Sequence, residues 1–303
     1  MKLTFVILTI ILTFVFINVN SQSFINNGAL ITILPNTILI LGDSVVNNGE
    51  ITNNGTIVVT GTWQNNGTYN AGTGDIVMSS PLPQVINHNQ QSLTKLTIAG
   101  GGDKIFEEDI VVVNELVLDD GILRSANGAR IIMDEEGVIL GGSEDSYIIG
   151  QVIHMGTGEK QYPVGTESAY LPFQFINVEG DNPEIGVMVI ETNTNIATVG
   201  FLDKVSTRWY WEMELVSGIF LGSPVVLPIV NEIFNESVNQ VVVAEARTLQ
   251  SAFHSLGQSE VTGDLFQGSV TSILRGTGNI FVVGIDASIT EPRPPLNILR
   301  SFT

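Results

Sequence analysis

Apolar positions along this chain come in short clusters. Ile, Val, Leu and Thr gather in runs such as DIVM, PQVI, LTKLTI, DIVVV, ELVLDDGIL, ARIIM and GVILGG, each cut by Gly, Asn or Asp. Few stretches carry the three-and-four spacing of an amphipathic helix, and alanine and lysine are scarce. The pattern predicts an all-β chain of many short strands joined by turns.

One stretch is more regular. In GEITNNGTIVVTGTWQNNGTYNAGTG, residues 49–74, glycine falls at every sixth position, as Gly49, Gly55, Gly61 and Gly67. Ile51, Ile57, Trp63 and Tyr69 each stand two residues later, and Asn-Asn precedes three of the four glycines. Six residues make one short strand and its corner. The residue two past each corner is therefore expected to point inward and stack on its equivalents in neighbouring coils, the logic of a β-solenoid. A β-meander, the alternative, has longer alternating strands and no reason to keep a fixed six-residue beat. At the corners, Asn-Gly is expected to supply positive backbone angles. Beyond Gly74 the beat loosens while the punctuation persists, which predicts coils of unequal length.

The texture changes again near Met155 to Gln161. GEKQYPVGTESAYLPFQF brings aromatics and prolines together, and longer alternating strands follow at EIGVMVIET, RWYWEMELV, SPVVLPIV, NQVVVAEA and NIFVVGI. Their length and turn spacing predict an antiparallel β-sandwich. The expected organisation is a signal peptide over residues 1–21, a parallel β-solenoid over 22–157, a β-sandwich over 158–287 and a proline-rich linker over 288–303.

The signal peptide rests on Lys2, the apolar run from Phe5 to Ile17, and Val19 and Ser21 before a cut that leaves Gln22 first. The run is shorter than the roughly 20 residues a spanning helix needs. No later stretch is long enough to span, and secretion is the expectation.

Charge and composition then remove whole classes of chemistry. There is no cysteine, so disulfides, thiol catalysis, thiolate metal sites and a lipoprotein anchor are excluded. With 12 basic against 31 acidic residues the formal net charge is −19, which opposes nucleic acid and anionic lipid. The acid is concentrated after residue 102, in Glu107-Glu108-Asp109, Asp119-Asp120, Asp134-Glu135-Glu136 and Glu144-Asp145. Consecutive acids on a strand point to opposite faces, and no alternating calcium loop is present. A solvated edge that discourages aggregation is the expectation, with calcium as the alternative and no other cofactor implied.

Catalytic signatures are missing: there is no nucleophile elbow, P-loop, dinucleotide turn or zinc-protease motif. His88, His154 and His254 lie far apart in sequence. Carboxylate pairs could serve a polysaccharide lyase or glycoside hydrolase, but among 31 acids some pair is inevitable. Trp209 and Trp211 share one face of a predicted strand and Tyr210 takes the other, so the tryptophans are expected in the core and Arg208 with Tyr210 at the surface as a contact pair. Thr56, Thr62 and Thr68 follow successive glycines, but corners between them send them to different faces.

In combination, NNGTIVVTGTWQNNGTYNAGTGDIVM, SLTKLTI, DIVVVNELVLDDGIL, SYIIGQVIHMGTGEKQYPVGTESAYLPFQF and STRWYWEM resemble the secreted, repeat-bearing surface proteins of the Bacteroidetes. The resemblance covers nearly the whole chain after the signal peptide. It implies an adhesin-like role and a C-terminal type IX secretion or gliding-motility-associated domain, which often opens Phe-Thr-Pro-Asn-Gly-Asp-Gly. The chain ends at Ser301-Phe302-Thr303, where that opening would continue, so the resemblance implies a copy shortened just before its export and anchoring module. The expected role is a non-catalytic structural or adhesive rod, secreted or at the cell surface, whose partners are polysaccharide, matrix or other cells. The alternative is a carbohydrate-active β-helix enzyme or polysaccharide-binding accessory protein.

Overall fold

The computed structural model describes residues 23–289. The predicted signal peptide lies outside them, as does nearly all of the predicted linker. Among the described residues the sole helical element is one 3-10 turn at Val238–Gln240.

The first half is a parallel β-solenoid. One face is a seven-stranded sheet running from Phe24–Asn26 through Ser44–Asn47, Thr62–Asn65, Gln84–Asn87, Lys104–Phe106 and Leu123–Ser125 to Ile148–Ile149. A second face holds Leu30–Ile33, Glu50–Asn53 and Thr68–Asn70. The third runs from Ile38–Leu41 through Thr56–Val59, Asp75–Ser79, Ser92–Ala99 and Ile110–Leu118. In the regular coils Val45 pairs with Trp63, Glu50 with Thr68 and Ile38 with Thr56. Asn47 and Asn65, stacked in the same way, are 18 residues apart, so three hexads close one coil. Later coils are longer: stacked Gln64 and Asn87 are 23 residues apart.

Ile51, Ile57, Trp63 and Tyr69 all point into the core, each at most 5% exposed. Thr56, Thr62 and Thr68 stand on three different faces.

The glycines act differently from the expectation. None of Gly49, Gly55, Gly61 and Gly67 adopts a positive φ. They are required for close approach. A Cβ at Gly61 would lie 1.1 Å from the Asp43 carbonyl oxygen, at Gly67 2.1 Å from that of Gly49, and at Gly55 2.4 Å from that of Thr37. Those same oxygens accept from the residue after each glycine: Thr62 N donates to Asp43 O at 2.7 Å, Thr68 N to Gly49 O at 2.9 Å and Thr56 N to Thr37 O at 2.9 Å. The inter-coil hydrogen bond at each corner leaves no room for a side chain. Left-handed backbone is found elsewhere in the solenoid, at Asn36, Asp43, Asn89, Gln90 and Asn127.

The asparagine pairs form two ladders. Buried Asn26 donates to Asn47 Oδ1 at 2.8 Å, Asn47 to Asn65 Oδ1 at 2.7 Å, and Asn65 to the His88 carbonyl at 3.3 Å. Outside, Asn66 donates to Asn48 at 2.9 Å. The inner ladder satisfies amides that would be costly to bury alone. Gln84, Lys104 and Ser146 do similar work at another corner by donating to carbonyls of the coil before.

The third face continues into the sandwich without a break. Gln151–Met155 runs parallel to Arg130–Met133 on one side and antiparallel to residues 184–187 on the other. Phe173–Glu191 crosses between two antiparallel sheets. Its first half pairs with Gly158–Tyr162 and Val225–Val230, and its second half with Trp209–Gly222. Tyr162, Phe173, Phe175 and Phe281 fill the space between the sheets with mostly edge-to-face contacts. One hydrophobic cluster extends from Ile33 in the solenoid to Ile285 in the sandwich.

The placement of Tyr210 corrects the expectation that it faces solvent. Tyr210 is 6% exposed, and every residue of Val241–Ala246 and Ile280–Asp286 is buried. Leu202, Val205, Leu249 and Phe253 cover the outer face of this sheet and form a second core with Tyr210, Val242, Ala244 and Val282. Alternation identifies the two faces of a strand; a covering layer buries both.

Candidate functional site

The solenoid faces are built to close on themselves. Several acids of the predicted clusters are tied to a neighbour one coil away: Asp109 pairs with Arg130 at 2.8 Å, and Glu107 accepts from Asn87 at 3.0 Å. Nearby, Asp103 pairs with Arg124 at 2.7 Å and Glu115 with Lys95 at 2.9 Å. Among the described residues no three His, Asp or Glu side chains gather as metal ligands would.

The histidines are separate. His88 succeeds the asparagine ladder, with its Nδ1 accepting from Trp63 Nε1 at 2.9 Å and its ring 4.7 Å from that of Tyr69. His154 donates from Nε2 to the Gln161 carbonyl at 2.8 Å, against the edge of Tyr162. Burial pushes the pKa of each down to about 4, so both are neutral structural groups. His254 stands 3.3 Å from Glu245 at the sandwich surface.

A concavity lies where solenoid and sandwich meet. Residues 163–172 fold back over the end of the seven-stranded sheet: Ile148 N donates to Pro163 O at 2.9 Å and Gly165 N to Ile148 O at 2.9 Å. Gly165 lets the Tyr147 ring approach, since a Cβ there would meet Tyr147 Cε2 at 2.4 Å. Tyr147 donates to Thr166 O at 2.8 Å, and Trp211 Nε1 donates to Leu171 O at 2.9 Å, fastening this hairpin to both units. Facing it are the end of Val225–Val230 and the turn before Gln267–Thr271. Between them opens a cleft of about 730 Å³, lined by Tyr147, Tyr170, Phe266, Glu144, Glu167 and Asn231 among others.

Hydrogen bonds and ring contacts brace the walls of the cleft. Tyr147 and Tyr170 have ring centroids 5.7 Å apart. Asp264 Oδ1 accepts from Phe266 N at 2.7 Å and Gln267 N at 3.0 Å, which holds the Asp264 carboxyl below its ordinary range and fixes the turn that presents Phe266. Glu167 is held by Arg124, and Ser168 donates to Glu191 at 2.5 Å. No lysine, arginine or histidine lines the cleft.

Of the predicted contact pair, Arg208 alone stands near this place. Its guanidinium donates to the Asn231 carbonyl at 3.1 Å and lies 4.5 Å from the Trp209 ring centroid. Next to Asn231, Glu232 is 5% exposed, and neither carboxylate oxygen has a hydrogen-bond partner among the described residues. Burial pushes its pKa up to about 7, opposed by the Arg208 charge and by the nearby Ser206, which stands outside hydrogen-bond geometry. The cleft residues escaped a reading of the sequence because they come from four separate segments. The clustering of Tyr147, Tyr170 and Pro172 around the change of texture was the available signal.

No family model, no curated protein and no solved structure matches this chain.

Proposed function

We propose that this chain is a structural and adhesive protein of the cell surface or the secreted space, in which the solenoid is a stiff spacer and the sandwich end carries the contact surface. The observation that carries this reading is the stacking of the solenoid: the hexad residues Ile51, Ile57, Trp63 and Tyr69 and the asparagine ladder are spent on coil-to-coil contacts, while Ile25, Leu30, Ile38 and Ile40 of the first coil stay exposed. Such a stack of coils is suited to holding its far end at a set distance. The predicted signal peptide and the resemblance to Bacteroidetes surface proteins support the location. Many copies on one cell would supply avidity from weak contacts with matrix, polysaccharide or other cells.

A second reading, a polysaccharide-binding accessory protein, is favoured by the cleft at the junction. Antibody labelling of intact cells tests the first reading, with culture medium analysed in parallel. Label on unpermeabilised cells or protein in the medium is expected; protein confined to the cell interior would overturn it.

A further inference from the structure

We propose that the cleft between the solenoid end and the sandwich binds a segment of a neutral polysaccharide. This deepens the reading above and rests on its non-catalytic binding role. Phe266 is 70% exposed, yet its turn is pinned by two backbone hydrogen bonds to Asp264. A large apolar ring presented to water by a braced turn at the mouth of a cleft is suited to stacking against the C–H face of a sugar ring. Tyr170, part-buried on the opposite hairpin, offers a second ring.

The polar lining agrees with the same ligand class. Glu144, Glu167, Asn231 and Gln267 supply acceptors and amide donors for sugar hydroxyls. Two carboxylates in the lining oppose uronates and sulfated sugars, because the neighbouring Arg124 and Arg208 are already engaged, by Glu167 and by the Asn231 carbonyl. A volume of about 730 Å³, open to solvent, accommodates a short run of sugar units rather than one small molecule.

The test uses the purified full chain in affinity electrophoresis through gels containing soluble neutral polymers (glucan, mannan, galactan and xylan) or acidic ones (alginate and polygalacturonate). At least one neutral polymer is expected to retard the protein, with both acidic polymers leaving it unretarded. Phe266→Ala is expected to weaken that binding roughly tenfold, from the loss of one stacking ring. Ile219→Ala, a change at an exposed apolar residue outside the cleft lining, is expected to leave it unchanged. Retardation by no neutral polymer, retardation by acidic polymers alone, or full binding by Phe266→Ala would each overturn the proposal. Purified protein isolates the cleft from the question of location, so failure here and failure of the cell labelling are distinct results.

Discussion

The solenoid and the sandwich solve burial in different ways. In the solenoid each residue meets its counterpart one coil away, so Val45, Trp63 and Ile86 stack in one column and Asn26, Asn47 and Asn65 in another. In the sandwich, neighbours come from distant parts of the sequence: Trp211 pairs with both Val189 and Phe281. The solenoid thus writes its contacts into a short repeat, whereas the sandwich's second face depends on which remote segments arrive to cover it. Repetition makes the first region legible and also intolerant, because one corner must fit the next.

That intolerance gives the largest expected effect. Gly61→Ala places a Cβ on the Asp43 carbonyl and should cost more than about 4 kcal/mol or prevent folding. Gly28→Ala, where φ is +94° and the space is open, should cost only about 1 kcal/mol. Urea denaturation of the two variants compares them directly. Equal losses would mean that corner crowding is not what selects the hexad glycines.

In the sandwich the corresponding test is Tyr210→Ala. A ring buried in the second core should cost about 3 to 5 kcal/mol on truncation, while Arg208→Ala should cost about 1 kcal/mol or less. A neutral Tyr210→Ala in thermal melts would show that the covering layer does not pack on this sheet.

The polar interior of the solenoid comes next. Asn47→Ala takes the acceptor from Gly49 N and from one of the two bonds of the Asn26 amide, and the Asn47 donor from Asn65 Oδ1, and should cost about 3 kcal/mol. Denaturation near the wild-type midpoint would show the ladder to be dispensable.

The smallest effects separate the regions by pH. His88 and His154 keep folded pKa values near 4, below their ordinary 6.5. The unfolded chain therefore binds protons first, and their contribution to stability is lost as pH falls from 6.5 towards 4. Glu232 acts in the opposite sense: its folded pKa near 7 lies above the ordinary 4.5, so stability is lost as pH rises through that window. Glu232→Gln should gain stability relative to the wild type between pH 5 and 8, by about 3 kcal/mol at the upper end. A gain independent of pH would show that ionisation of this carboxylate is not the cause.

Sequence legibility follows the same division. The hexads specified a solenoid because glycine, the inward residue and asparagine all repeat with the coil. The reason for the glycines was hidden: Asn-Gly suggests a left-handed turn, and only stacking shows that an inter-coil hydrogen bond occupies the Cβ position. Alternation around Trp209 and Trp211 correctly implied a sandwich strand with both tryptophans buried. It could not show that Leu202 and Phe253 cover Tyr210, since alternation within a strand does not say what packs on its outer face. The cleft was the least legible part, because Glu144, Tyr170, Asn231 and Phe266 converge only after both units have formed. Even there the YPVGTESAYLP segment marked the place where the fold turns.

The central claim is that three hexads form one replaceable coil, and deletion tests it most directly. Removing residues 44–61 takes out a coil of 18 residues and joins Asp43 to Thr62, which stacks over Ser44 in the intact chain. This variant is expected to keep a cooperative thermal transition and a β-rich circular dichroism spectrum. Removing residues 44–55, two hexads, would turn every earlier strand onto the wrong face and should abolish cooperative folding. If both deletions are tolerated alike, or both fail alike, the coil is not the unit on which this fold is built.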